Sequence, residues 1–430
     1  MKKTFLFGLL ALMSAYGVCY GQATRKSKDP AMAEAGFPSP YNVYGAQYPK
    51  IEADQRVTFQ FKAPEAQKVQ VSINNKAIDM TKNADGVWTY TSEPQDMGYH
   101  NYWMVVDGAT VLDPATDAFI GYSHMCNAFE IPDPNGSFYE LKDVPHGDVL
   151  IENYFSKVTN AWRKIYVYLP PDYLKNTSAR YPVLYLQHGG GEDQRVWTEM
   201  GRTNVILDNL IAEGKAKPFI VVMETSAAYK PGEVPAAPRQ GAPAGQLRQG
   251  QPGQQGQAGQ PAAQGAPRPQ GQPGAAAQGQ PAAGGQRPAG MGNFNRMFDT
   301  YAEVMKTDLI PFIDGRFRTL TDQPNRAMSG LSMGGMCTKA VTLANLDIFS
   351  HIGIFSGGQI APDEITDKSK VKLVFMSSGS REGGQATLPK AAEDLNKAGV
   401  KAVSYISPLT AHEFQTWRRS IYEYAQLLFK

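Results

Sequence analysis

The 430-residue sequence is poor in the groups that build metal centres and disulfide frameworks, with three cysteines and six histidines. Cys19, Cys126 and Cys337 stand far apart, so neither a C-x-x-C zinc spacing nor a disulfide scaffold exists, and buried free thiols are the plain reading for Cys126 and Cys337. The histidines are equally dispersed through separate predicted elements, and the expectation is a chain that uses no metal and no cofactor. A formal net charge of +2 supplies no field for a polyanion, which argues against nucleic acid as a partner. Long apolar runs are missing too. The run Thr4–Val18 is too short to span a bilayer comfortably and carries no stop-transfer flank.

Behind Met1-Lys2-Lys3, that run reads as the core of a signal peptide over residues 1–22, and the mature chain is expected to be exported, to the periplasm or outside the cell. A second reading attaches lipid at Cys19, although Val18 is larger than the small residue usual before a lipidated cysteine. Residues 36–133 look all-β. Arg56–Phe61 and Lys68–Ile73 alternate polar and apolar residues, and Asp85-Gly86 and Asp107-Gly108 are hairpin signals, so a β-sandwich is predicted. Trp88, Tyr90, Tyr99, Tyr102 and Trp103 suit either its core or a sugar-stacking face. Pro, Gly and Asp dominate residues 134–148, which read as a linker.

From residue 149 to 430 strands alternate with helices, the pattern of a parallel sheet covered on both faces. Within it, residues 231–292 collapse to Gln, Gly, Pro and Ala without an apolar face, and the expectation is a disordered insertion. Just downstream, Phe298, Tyr301, Met305, Leu309 and Phe312 recur at helical spacing, with Pro311 expected to kink or end that helix. The only G-x-S-x-G of the chain, Gly330-Leu331-Ser332-Met333-Gly334, then sits between a predicted strand and a predicted helix. Such an elbow exposes a serine hydroxyl at a helix N-terminus, which makes Ser332 the candidate nucleophile. Two later strand ends carry Glu382 and His412, and the order Ser332, Glu382, His412 is that of a hydrolytic triad on an α/β sheet. After the strand Val183–Leu186 comes His188-Gly189-Gly190-Gly191, whose amides are free to face an oxyanion unless the run is merely a tight turn. His188 itself reads as structural. The residues alone say serine ester hydrolase.

Two resemblances add to this. Val57-Thr58-Phe59, Asp85-Gly86-Val87-Trp88 and Val106-Asp107-Gly108 with Asp113-Pro114 resemble the immunoglobulin-like carbohydrate-binding module family 48. Tyr185–Gly191, Leu207–Lys215, Asp308–Asp314, Gly330–Gly335 and Ala411-His412-Glu413-Phe414 resemble carbohydrate esterase family 1, the esterase D-like group of feruloyl and acetyl-xylan esterases. The fold implied is an α/β-hydrolase preceded by a small immunoglobulin-like sandwich. Carried over residue by residue, Ser332 is the nucleophile and His412 the general base, and the amides of Gly190 and Met333 form the oxyanion hole. The implied substrate is a feruloyl or acetyl ester on plant xylan, as polysaccharide or oligosaccharide. Glu382 departs from the aspartate usual in that family, and the insertion replaces a segment that shapes the acyl pocket. The rival readings are a siderophore esterase of the same superfamily and a non-catalytic glycan-binding protein.

Overall fold

A computed structural model describes residues 36–233 and 289–430. The expected leader 1–22 and residues 234–288 of the expected insertion lie outside the described residues.

Residues 37–131 form two antiparallel sheets, of five and six strands, packed face to face. Alternation along Val57–Lys62 sends Val57 and Phe59 inward, where they meet Val69, Val71, Tyr102, Met104 and Phe129 from the other sheet. The rings of Phe59 and Tyr102 meet edge to face at 5.0 Å. At Asp107-Gly108 both residues take positive φ, 48° and 88°, as a two-residue hairpin turn requires. Trp88 and Tyr102 are buried in the interior with half-buried Tyr90 against them, while Tyr99 and Trp103, also buried, lie on the other face of their strand, Tyr99 packed on Phe414 and Trp103 on Tyr122 and His124, so these five rings form no exposed stacking face.

The stretch read as a linker is packed rather than loose. Its turn Gly136–Tyr139 buries Tyr139, sets Phe138 edge to face against it at 4.9 Å, and docks on the next region through Asn209, which donates to the carbonyls of Phe138 and Glu140. Two adjacent aromatics in a turn-rich segment outweigh its composition.

The α/β region is built on eight strands: β1 Asp148–Ser156, β2 Ala161–Leu169, β3 Val183–Gln187, β4 Ile220–Glu224, β5 Arg326–Leu331, β6 His351–Phe355, β7 Leu373–Gly379 and β8 Ala402–Ser407. Their spatial order is β1-β2-β4-β3-β5-β6-β7-β8, antiparallel over the β1–β2 hairpin and its junction with β4, and parallel from there on. Strands β3 to β7 are buried almost residue for residue, because helices cover both faces. Those helices are α1 Val196–Glu199, α2 Thr203–Ala212, α3 Ala289–Val304, α4 Ile310–Arg316, α5 Met333–Leu343, α6 Leu388–Lys397 and α7 Phe414–Ala425. The sheet is that of an α/β-hydrolase. From β3 the chain crosses first to β4 and then back to β5, so β3 and β5 flank the switch point where such sheets open a crevice at their carboxyl ends.

One expectation is corrected and a second narrowed. Helix α3 starts at Ala289, inside the segment read as disordered to Gly292, since an apolar helical face downstream extends back over residues of poor propensity. Of the two outcomes expected at Pro311, a kink or an end, the structure rules out the end. A wider turn, Met305–Leu309, precedes it, and as a first-turn residue of α4 the proline needs no acceptor for a missing N–H, so the helix continues to Arg316.

Candidate active site

Strand β5 ends at Leu331 and α5 begins at Met333, leaving Ser332 alone at the bend with φ 52° and ψ −117°. A side chain in that backbone region is strained and persists only where packing over-determines it. The packing is visible in its glycines. A Cβ on Gly330 would lie 2.5 Å from the Gly334 backbone, and one on Gly334 would lie 2.4 Å from the His188 carbonyl. The spacing Gly-x-Ser-x-Gly is therefore a statement about space: the elbow lies directly on the loop that follows β3. The bend is also tied to β6, where the Ser332 amide donates to the Phe355 carbonyl at 2.7 Å.

The loops after β7 and β8 close on the same point. His412 Nε2 lies 2.9 Å from Ser332 Oγ, and its Nδ1 lies 2.7 Å from Glu382 Oε2. The ring stands edge-on to Trp417 at 5.1 Å, and its loop is pinned by the hydroxyl chain from Thr416 to Thr410 to Ser407. The second oxygen of Glu382 accepts from Ser356 Oγ and from the Gly379 amide, both at 2.7 Å, and Ser356 in turn accepts from Trp417 Nε1 at 3.1 Å. Burial alone would raise the Glu382 carboxyl. The hydrogen bonds from His412, Gly379 and Ser356 outweigh it and hold the group below its ordinary value. Glu382 thus stays ionised across the neutral range and fixes the proton of His412 on Nδ1, leaving Nε2 free to accept from Ser332.

Met333 follows Ser332 directly, and Gly190 lies beside it. Met333 is the first residue of α5, so its amide has no acceptor within the helix. A Cβ built on Gly190 would stand 3.9 Å from the Met333 sulfur, which sets the two residues side by side. His188 is buried beneath the loop with Nδ1–H donating to the Gly189 carbonyl at 2.7 Å, and it makes no hydrogen bond to Ser332. Of the competing acids, Glu413 accepts from the Ala411 amide at 3.1 Å, and Asp363 lies in the short turn Pro362–Glu364. Among the described residues no three His, Cys, Asp or Glu side chains converge as metal ligands would.

The structure thus brings together all five residues singled out in the sequence, and adds some that sequence reasoning passed over. Ser356 lies at the end of β6, and its position at a strand end on the site's edge was the only available signal. Glu192, directly after the glycine run, accepts from the Gly189 amide at 2.8 Å. Burial raises the Glu192 carboxyl to about 7, against the pull of Gly189 and His412. A turn of the β region, Tyr122-Ser123, touches the same loop, with the Ser123 amide donating to the Gly191 carbonyl at 2.9 Å.

With this geometry in view, the matches to known proteins fall into place. The model of the putative esterase family matches residues 156–249 and 250–419. The chain belongs to that esterase family. Membership places it among the carboxylic ester hydrolases. It is similar to an endo-1,4-beta-xylanase/feruloyl esterase of Xylanibacter ruminicola, with 35% identity over 401 residues that take in 91% of this chain and 47% of the other. The chain therefore spans about half the length of the curated relative it matches. Among solved structures, the enterobactin esterase of Shigella flexneri superposes with a TM-score of 0.56 at 12% identity, covering 86% of this chain and 92% of that one. That likeness is one of fold. A CE1 ferulic acid esterase of Anaeromyces mucronatus gives a TM-score of 0.49 at 20% identity, over 69% and 96% of the two chains.

Proposed function

We propose that this esterase is an exported serine hydrolase that removes feruloyl or acetyl groups from plant cell-wall polysaccharide through an acyl-enzyme. One observation carries the chemistry: the continuous contact from Ser332 Oγ to His412 Nε2 at 2.9 Å, and from His412 Nδ1 to Glu382 Oε2 at 2.7 Å. As Oγ attacks the ester carbonyl carbon, His412 takes its proton and Glu382 stabilises the imidazolium. The carbonyl oxygen, now an anion, receives the amides of Met333 and Gly190. When the tetrahedral adduct collapses, the C–O bond to the sugar breaks and His412 returns the proton to the leaving oxygen. Water then repeats the sequence on the acyl-serine. Each oxyanion donor in such a site is typically worth about 100- to 1000-fold in kcat.

The substrate reading leans on the xylanase/feruloyl esterase relative, and export on the leader 1–22. Among the described residues, no helix is long and apolar enough to cross a membrane. The β region, as two packed antiparallel sheets, fits an immunoglobulin-like carbohydrate-binding module in its layers, and the burial of Trp88, Tyr99, Tyr102 and Trp103 supports a likeness of fold rather than of sugar binding.

The test combines a fluorophosphonate probe with methyl ferulate, acetylated xylan, feruloylated arabinoxylan and ferric enterobactin. Labelling at Ser332 and release of ferulate or acetate from the polymers are expected, and Ser332→Ala should lose about a millionfold in kcat. Pure Ser332→Ala retaining a tenth of the activity would sink the nucleophile. Preference for the siderophore would overturn the substrate, and absence of turnover on every ester would leave the glycan-binding reading.

A further inference from the structure

The loop that offers the Gly190 amide is three consecutive glycines, the residue type with most conformational freedom to lose on ordering. Two contacts bracket it. On one side Glu192 holds the Gly189 amide at 2.8 Å, and on the other the Ser123 amide holds the Gly191 carbonyl at 2.9 Å. The second contact comes from the β region. Its strands Ala118–Gly121 and His124–Ile131 pair through Gly121 and His124, so the connection is the two-residue turn Tyr122-Ser123. Both residues take positive φ, 53° and 67°. Asn-Gly suits such a turn, and Tyr-Ser occupies it at a backbone cost of the kind found where function over-determines geometry.

The fit across the contact is close. Gly191 has φ +75°, and a Cβ there would lie 2.8 Å from the Ser123 amide nitrogen and 2.9 Å from its Oγ. Trp103 backs the turn, edge-on to Tyr122 at 5.8 Å and to His124 at 4.8 Å. The β region also reaches the opposite side of the site. Asp96 pairs with Arg381, the neighbour of Glu382, and Tyr99 packs edge-on to Phe414 at 5.7 Å, two residues beyond His412. One region thus touches the loops that carry the oxyanion amide, the acid and the histidine.

We infer that the Tyr122-Ser123 turn is a positioning element of the esterase site, which grips the Gly191 carbonyl and so holds the Gly190 amide where the oxyanion forms. The inference rests on the proposed roles of Ser332 and Gly190. It assigns the β region a part in the chemical step, even for an ester too small to reach any sugar-binding surface.

The experiment uses the full chain, p-nitrophenyl acetate as substrate, and an aryl trifluoromethyl ketone as probe. Ser332 Oγ adds to the ketone carbon, its proton passes to His412, and the ketone oxygen becomes an oxyanion in the hole, so probe affinity reads the position of the amides. Ser123→Pro removes the N–H and forbids the positive φ. Gly191→Ala forces the same contact apart from the other side. The double change Tyr122→Asn, Ser123→Gly keeps both turn and N–H. The first two should each lower kcat by about 10- to 100-fold, with KM within about twofold and ketone affinity weakened in step, while the double variant stays within about twofold of wild type. If Ser123→Pro fails to fold, Gly191→Ala decides alone. Wild-type kcat and ketone affinity in either folded single variant would overturn the inference, as would loss of both in the double variant. Failure of the wild type to bind the ketone, or an unlabelled Ser332, would instead strike the site reading on which this one stands.

Discussion

Where the β region meets the α/β region, Glu130 lies between Arg418 and Arg202, with Nη1 of Arg418 at 2.6 Å and Nη2 of Arg202 at 2.9 Å. At the rim of the sheet, Glu382 lies beside His412 at 2.7 Å. Burial pushes both carboxyls up, and in both the partners win. Arg418 and Arg202, with a hydrogen bond from Tyr41, bring Glu130 down to about 2; His412, Gly379 and Ser356 bring Glu382 below its ordinary value. The difference lies in the partner. Guanidinium keeps its proton at any physiological pH, so the contact between regions is locked, and its face is further covered by Tyr139 at 4.6 Å from the Arg418 guanidinium carbon. Imidazole gives its proton up, so the same carboxylate arrangement leaves a movable proton at the site.

The comparison breaks most sharply at the rim. Glu382→Ala should fold normally and lose about ten-thousandfold in kcat, with substrate affinity little changed, because the proposed nucleophile Ser332 and the proposed oxyanion amides of Gly190 and Met333 remain. Asp363→Ala and Glu413→Ala are the controls. If Glu382→Ala stays within about threefold of wild type while a control collapses, the acid lies elsewhere.

The contact between regions should fail differently. Arg418→Ala leaves Glu130 enclosed without its main partner and should cost about 3–5 kcal/mol in urea unfolding. The pair Glu130→Gln with Arg418→Met should recover more than half of that, since apolar replacement of a buried ion pair is often nearly neutral. A pH signature follows. Because the folded pKa of Glu130 is depressed, its contribution is present above the ordinary 4.5 and is lost as pH falls from there towards about 2. Wild type should lose stability over that window relative to the double variant, and parallel curves would remove the buried charge from the account.

The legible parts of this molecule are those set by chain order and by steric need. Ser332, Glu382 and His412 follow strand ends in sequence, and Gly330 and Gly334 are imposed by backbone contact, so local pattern carries them. What escaped depends on the meeting of distant segments. Ser356 reaches Glu382 across 26 residues, and Arg418 reaches Glu130 across 288. No periodicity encodes such pairs. The turn at Tyr122-Ser123 escaped because neither residue is a turn former of the kind that marks Asp107-Gly108, and positive φ at a tyrosine has no sequence signature. Residues 134–148 misled for the opposite reason, since composition speaks of turns and is silent on where Phe138 and Tyr139 dock.

The smallest expected effect tests whether the site holds a second movable proton, at Glu192. This carboxylate joins the two sides of the comparison, being half-buried like a rim group yet, as at the buried Glu130, raised by desolvation, here with no arginine to offset it. Burial raises it to about 7, the Gly189 amide and His412 draw it down, and Asp193 pushes it up. Its ionised form is the stronger acceptor for the Gly189 amide and favours the imidazolium that forms during attack, so activity should gain a step as pH rises through about 7. Stability moves the opposite way. The folded pKa lies above the ordinary 4.5, so the contribution is full below 4.5 and is lost as pH rises through about 7. Glu192→Gln keeps an acceptor for Gly189 and removes the titration. At pH 8 it should lower kcat by roughly fivefold, the equivalent of about 1 kcal/mol for a charge-assisted bond made neutral. Between pH 6 and pH 8 the ratio of wild-type to variant kcat should rise by about that same factor, a partial step set by the Glu192 proton. Between pH 5 and pH 8 the variant should gain stability relative to wild type. A ratio of activities and a stability difference that both stay constant with pH would show that Glu192 carries no proton in this range.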